Sequence, residues 1–129
     1  WCGHIAFWES HLGHEFGRDL EAYKAAGPRI VELNPMTIMQ NALHSFGGDW
    51  SNVPPKAATI GPAEILGASR RSFWLDGDLG GGVSWQRFIA RLVAHGPVSE
   101  FVPGSMLQTA PTDYTMLGGV ADDVTIDMA

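Results

Sequence analysis

Four segments of this chain repeat apolar residues every three or four positions, the spacing that places them on one face of an α-helix. The segments are residues 5–26, 35–46, 62–74 and 85–95. Glycine and proline interrupt the pattern after them, for example at Gly27-Pro28 and Gly96-Pro97, and these residues stop helices. The pattern predicts a mainly α fold, with about four helices in a loose bundle joined by long loops rich in glycine and proline.

The end of the chain lacks this helical period. Residues 114–117 and 124–128 are short β-like stretches separated by Gly118-Gly119, as in strands joined by a turn. They would either pair as a short β-hairpin or lie on another subunit. We therefore expect a helical domain over residues 1–102 and an irregular tail with short strands over residues 103–129.

The aromatic content of the chain is high for its charge. The chain has five Trp and six Phe, but only 17% of its 129 residues are charged, against about 25% in an average globular protein. A surface so low in charge indicates that another polypeptide covers part of it. We expect this to be either a protein partner or a second copy of the chain in a homo-oligomer.

Charge and hydropathy argue against two classes of function. The net charge is −6, and Arg70-Arg71 is the only adjacent basic pair, so the chain lacks a basic stripe for nucleic acid. No apolar run approaches the roughly 20 residues that cross a bilayer, so we expect no transmembrane segment. The single cysteine, Cys2, is compatible with a reducing compartment. We expect a soluble protein of the cytoplasm or of an organelle.

The first segment contains a histidine cluster. His4, His11 and His14 are interleaved with Glu9 and Glu15. On a helix, His11 and Glu15 would lie about 20° to either side of His4, which makes a row of imidazole and carboxylate groups. Because seven residues of helix rise roughly 10.5 Å, His4 and His11 cannot share one metal ion. His11 can form a local chelate with His14 or Glu15, and His4 would need partners from other helices. The alternative is a polar helix face without a site.

One stretch of this segment resembles a known family. The stretch is His4-Ile5-Ala6-Phe7-Trp8-Glu9, and it is similar to the second-helix motif of DinB-like four-helix proteins, the group that includes mycothiol-dependent isomerases and ClbS-like enzymes. A Pro-Ala-Glu-Ile-Leu helix start at residues 62–66 and a helix that ends in His95 follow in a similar order. The resemblance implies a four-helix bundle with a divalent metal inside it.

The resemblance also implies metal ligands. By position, His4 is the first ligand and His95 the second, and the metal would be Zn, Ni or Fe. The third ligand position holds Ser99, and so Glu100 or His11 would complete the site.

Two functions follow from these observations, and whether the chain is an enzyme stays open between them. The first is a metal-dependent DinB-like transferase or hydrolase, in which an open coordination position activates water or a thiol. The alternative is a non-catalytic subunit of a larger assembly. In that case the histidines of the N-terminal helix are polar surface groups or bind a tetrapyrrole pigment.

Overall fold

A computed structural model of the chain describes residues 2–75 and 85–121. Within these ranges the helices are α1 (Leu20–Lys24), α2 (Pro35–Ser45), α3 (Pro62–Gly67), α4 (Trp85–His95) and α5 (Gly118–Ala121). The strands are β1 (Arg29–Glu32), β2 (Lys56–Thr59), β3 (Ser72–Leu75) and β4 (Asp113–Met116). Short 3₁₀-helices lie at Ser10–Phe16, Trp50–Asn52 and Pro103–Thr109. None of the described helices is both long and apolar enough to cross a membrane.

The strands form two separate two-stranded sheets. β1 runs antiparallel to β2, with Arg29 opposite Thr59. β3 runs parallel to β4, with Ser72 beside Asp113. The chain is therefore α/β, and the prediction of a mainly α bundle of about four helices is wrong.

The predicted third helix, residues 62–74, ends early because Arg71 caps its carboxyl end. The guanidinium of Arg71 donates hydrogen bonds to the carbonyl oxygens of Leu66 at 2.8 Å and Ala68 at 2.6 Å. The last carbonyls of a helix have no partner within it, so this side chain satisfies them and ends α3. The residues of β3 then alternate between exposed and half-buried, which is the period of a strand.

The predicted first helix, residues 5–26, is also wrong. Three of its residues, and Gly3 two residues before its start, have positive φ angles that an α-helix does not contain: Gly3 at 70°, Ala6 at 47°, Gly17 at 56° and Arg18 at 71°. The segment consists instead of a turn, a 3₁₀-helix and the short helix α1. The row of histidines expected on one helix face therefore does not form.

The end of the chain pairs differently from the predicted hairpin. β4 lies beside β3, and the second predicted strand, residues 124–128, lies outside the described residues. Pro103–Thr109 lies against α4, with Ser105 and Met106 fully buried. The division of the chain between residues 102 and 103 stays a prediction.

The hydrophobic core surrounds Trp8, which is completely buried. Its ring contacts Tyr23 edge-on, with centroids 5.6 Å apart, and lies 6.1 Å from the ring of Phe16. The indole Nε1 donates to the carbonyl of Ile60 at 2.7 Å, and the guanidinium of Arg29 lies 4.4 Å from the ring centroid. This cluster fixes the first segment against the sheet of β1 and β2.

Helix α2 turns its apolar face outward. Met36 and Met39 are exposed, and Leu43 is 72% exposed. Thr37 and Ala42 lie on the buried face instead. The reason is a buried carboxylate: the hydroxyl of Thr37 donates a hydrogen bond to Glu9, which turns the polar side of the helix inward.

Gly61, the residue before α3, is expected to tolerate no side chain. A Cβ there would lie 2.5 Å from the carbonyl oxygen of Gly27 and closer still to that of Ala26. We expect Gly61→Ala to lower the free energy of unfolding by about 1–3 kcal/mol, the usual cost of overpacking. Gly67→Ala is the matched control, because a Cβ at Gly67 meets nothing within 4 Å. Urea unfolding of the two variants measures the difference, and equal midpoints would contradict the prediction.

Candidate functional site

A cavity of about 520 Å³ lies beside His4. It is lined by one imidazole, one carboxylate, two guanidinium groups and several apolar side chains. The polar members are His4, Glu64, Arg70, Arg71 and Ser72, and the apolar members are Ile5, Ala6, Ile60, Ile65, Ala68, Phe73 and Leu107. A concave apolar surface with a few convergent charged groups is the usual form of a site for a small molecule.

The backbone before His4 is held by close packing at Gly3. Gly3 has a φ of 70°, and a Cβ there would lie 2.8 Å from the side chain of Val93. Its carbonyl accepts a hydrogen bond from the amide of Gly104 at 2.6 Å. Only glycine meets both demands at low cost. The turn that presents His4 is therefore fixed to α4 and to the 3₁₀-helix Pro103–Thr109.

His4 is half-buried. This burial lowers the pKa of its imidazole from the ordinary 6.5, and the carboxylate of Glu9 acts weakly in the opposite direction. The imidazole is therefore neutral near pH 7. Its Nδ1 lies 3.9 Å from Sγ of Cys2. A neutral imidazole beside a cavity can exchange protons with a bound molecule.

The other charged groups that line the cavity are held by local contacts. Arg71 is anchored by the carbonyls at the end of α3 and by that of Pro111 at 3.0 Å. Arg70 is exposed and forms an ion pair of 3.3 Å with Asp113. Glu64 accepts a hydrogen bond of 2.8 Å from the amide of Gly61, which caps α3. Two positive charges therefore lie at this side of the cavity with their backbone positions fixed.

A second polar cluster lies beneath the first segment, around the fully buried Glu9. Its carboxylate accepts hydrogen bonds from the amide of Asn34 at 2.7 Å and from the hydroxyl of Thr37. Nδ1 of His11 lies 3.5 Å from the same carboxylate. Glu9 thus joins the first segment to the start of α2, and it acts on His4 through the electric field rather than by contact.

The residues expected to bind a metal lie in different surroundings. His4 faces the cavity, His11 lies beside Glu9, and His95 is exposed at the end of α4. Glu100 is buried against Gly13. Among residues 2–75 and 85–121, no group of three or more His, Cys, Asp or Glu side chains could hold a metal ion. The assignment of these four residues to a divalent metal, and of a tetrapyrrole to this chain, stays a prediction.

Sequence reasoning missed the groups that share the cavity with His4. Arg70-Arg71 was noted only as the single adjacent basic pair, and Glu64 only as part of a helix start. The sequence signal that could have indicated them is the adjacent pair of arginines within the predicted third helix, residues 62–74. The cavity depends on contacts between distant segments, which that signal does not reveal.

Comparison with known proteins finds a likeness among solved structures. No family model matches the chain, and no curated protein matches it. Among solved structures, a monomeric glucosamine-6-phosphate deaminase, described as the missing link of the NagB superfamily, is similar with a TM-score of 0.72. The sequence identity is 24% over 93% of this chain, which spans 43% of the length of that deaminase.

The likeness corrects the functions expected from the sequence. The resemblance to DinB-like four-helix proteins is wrong, because the similar structure has a different fold. The function of a metal-dependent DinB-like transferase or hydrolase is wrong for the same reason. At this identity the comparison establishes the fold alone: the chain has an α/β fold like that of part of a glucosamine-6-phosphate deaminase.

Proposed function

We propose that this chain acts on a phosphorylated amino sugar, as a sugar-phosphate isomerase or deaminase. The observation that carries the proposal is the cavity beside His4, which a neutral imidazole and two guanidinium groups line together. The likeness to a glucosamine-6-phosphate deaminase supports the choice of substrate. The chain spans 43% of the length of that deaminase. The proposal therefore concerns only the chemistry that the residues of this chain can carry out.

The proposed chemistry needs proton transfer but no external oxidant. Hydrolysis of the amine from C2 of a 2-amino aldose 6-phosphate releases ammonia and leaves a 2-ketose 6-phosphate. C2 is oxidised while C1 is reduced from an aldehyde to an alcohol, so the electrons balance within the sugar. The cyclic sugar must first open, which moves one proton from the anomeric hydroxyl to the ring oxygen. Positioned acids and bases accelerate such transfers by about 10²- to 10⁴-fold.

The cavity residues suit these needs. His4 would exchange the proton with the sugar oxygens. Arg70 and Arg71 would attract the phosphate, since a guanidinium group matches phosphate oxygens in charge and shape. The ion pair of Arg70 with Asp113 is exposed, and an exposed pair contributes only about 0–1 kcal/mol, so a phosphate can replace the carboxylate easily. Glu64 would place negative charge near the amine.

The test is an assay of the chain with glucosamine 6-phosphate. We expect ammonia and a ketose phosphate to form in equal amounts, and His4→Asn to lower kcat by about 10²- to 10⁴-fold with little change in binding. His95→Asn is the matched control, because His95 is exposed outside the cavity and its loss should leave the rate unchanged. Binding is measured in parallel by calorimetry with the phosphate ester and with free glucosamine. A chain that neither binds nor deaminates the ester would contradict the proposal.

A further inference from the structure

The thiol of Cys2 lies behind the imidazole that faces the cavity. Cys2 is 8% exposed, and its sulfur lies 3.9 Å from Nδ1 of His4. The same sulfur accepts a hydrogen bond from the backbone amide of Ser10 at 3.4 Å. Cys2 therefore contacts both His4 and the start of the first 3₁₀-helix.

These two contacts bear on where the thiol proton goes. A thiol has one hydrogen and can also accept a weak hydrogen bond. The amide of Ser10 can only donate, so the sulfur is the acceptor in that contact. The thiol hydrogen is then available for Nδ1 of His4, the lone-pair nitrogen of a neutral ring. A neutral imidazole with Nδ1 as acceptor carries its own hydrogen on Nε2.

We propose that Cys2 is a positioning residue for His4: it holds the ring hydrogen on Nε2 and replaces that hydrogen when the ring gives it away. The second part rests on the proposed function. When the sugar opens, its C1–O5 bond breaks, the electron pair goes to O5, and O5 takes the proton from Nε2. Nδ1 takes the proton of the thiol at the same time, which leaves a thiolate that accepts from the amide of Ser10.

The cycle closes without any other reactant. The oxygen on C1 becomes a carbonyl oxygen and releases its hydroxyl proton to Nε2, and Nδ1 returns its proton to the sulfur. The pair is then in its starting state, and one proton has moved from the anomeric oxygen to the ring oxygen. Without the thiol, a neutral imidazole would have to give up its only ring hydrogen, which is far too weakly acidic.

Other charged and titratable groups surround this pair. On the buried side, Cys2 and Glu100 both act electrostatically on the phenol of Tyr23, whose pKa is raised mainly by burial. On the other sides lie the carboxylate that acts on the imidazole and the charged groups that line the cavity, namely Glu9, Glu64, Arg70 and Arg71.

The position of the ring hydrogen can be observed directly. Long-range ¹H–¹⁵N NMR spectra of the histidine rings, with the His4 signals assigned by their loss in His4→Asn, report the tautomer. We expect the hydrogen on Nε2 in the wild type and in Cys2→Ser, which keeps a donor, and a mixture of tautomers in Cys2→Ala. A hydrogen on Nδ1 in the wild type, or the same tautomer in Cys2→Ala as in the wild type, would overturn the proposal. Thermal unfolding confirms that both variants are folded.

The second test is the dependence of deamination on pH. In Cys2→Ala the imidazole must itself be protonated to act as an acid, and its pKa lies below 6.5. Between about pH 6 and pH 8 we expect the rate of this variant to fall at least tenfold relative to wild type. An unchanged ratio of the two rates would reject the relay. A wild type without deaminase activity but with the expected change of tautomer would reject the proposed function and support the role of Cys2.

Discussion

Replacing Trp8 with alanine is expected to lower the free energy of unfolding by about 3–5 kcal/mol, the usual cost of removing a fully buried tryptophan. The indole packs against Tyr23 and Phe16. Its loss leaves a large cavity and also removes one of the two donors to the Ile60 carbonyl, which keeps the hydrogen bond from the hydroxyl of Thr59. Such a loss is a large part of the stability of a domain of this size. Urea unfolding, followed by circular dichroism, gives the value.

Trp50→Ala is the matched control for this prediction. The side chain of Trp50 is 63% exposed, and an exposed substitution usually changes stability by less than about 0.5 kcal/mol. If the two variants unfold at the same urea concentration, the core does not depend on Trp8 in the way described above.

Glu9→Ala is expected to cost about 2–6 kcal/mol, because two hydrogen-bond donors beneath the first segment lose this acceptor. These donors are the amide of Asn34 and the hydroxyl of Thr37, and each unsatisfied buried donor costs about 1–3 kcal/mol. Glu9→Gln keeps the shape and one acceptor oxygen, so we expect it to lie between the wild type and Glu9→Ala. The same unfolding measurement applies.

The control for Glu9 is Glu21→Ala. The side chain of Glu21 is 82% exposed and forms an ion pair with Lys24, and exposed pairs of this kind contribute little. A cost for Glu9→Ala no larger than that for Glu21→Ala would show that the buried carboxylate does not join the first segment to α2.

The sequence predicted those helices whose signals are local. The expected helix over residues 35–46 is α2, Pro35–Ser45, and the expected helix over residues 85–95 is α4, Trp85–His95. In α2 the side chain of Asn34 accepts a hydrogen bond from the amide of Met36 at 2.9 Å, as an N-cap does. Caps, prolines and apolar spacing act within a few residues, so they are visible in the sequence.

The pairing of distant segments was not predictable in this way. β3 and β4 pair although α4 lies between them in the chain, and neither segment contains a signal for the other. The prediction of one helix over the first segment, residues 5–26, was wrong for a related reason. Its apolar spacing fits a helix, but left-handed residues such as Gly3 and Gly17 break it, and tertiary contacts such as that of Gly3 with Val93 favour this conformation.

The candidate site was predicted only in part. His4 was selected from the sequence and does line the cavity, but the other lining groups were not expected beside it. The partners proposed for it were chosen by spacing on a helix that does not form. The expectation that another polypeptide covers part of the surface stays a prediction, and the outward apolar face of α2 is the surface on which to examine it.

The order in which segments pair also has a consequence for synthesis on the ribosome. β1 and β2 can join as soon as Thr59 has emerged, since both strands and the residues between them are then available. The turn before His4 must wait for Gly104, with which Gly3 forms its backbone hydrogen bond, and β3 must wait for β4. Nascent chains therefore expose the apolar side of this first segment until Gly104 has emerged, and exposed apolar surface of this kind favours aggregation. Truncation before residue 104 should yield a protein that aggregates rather than a smaller folded unit.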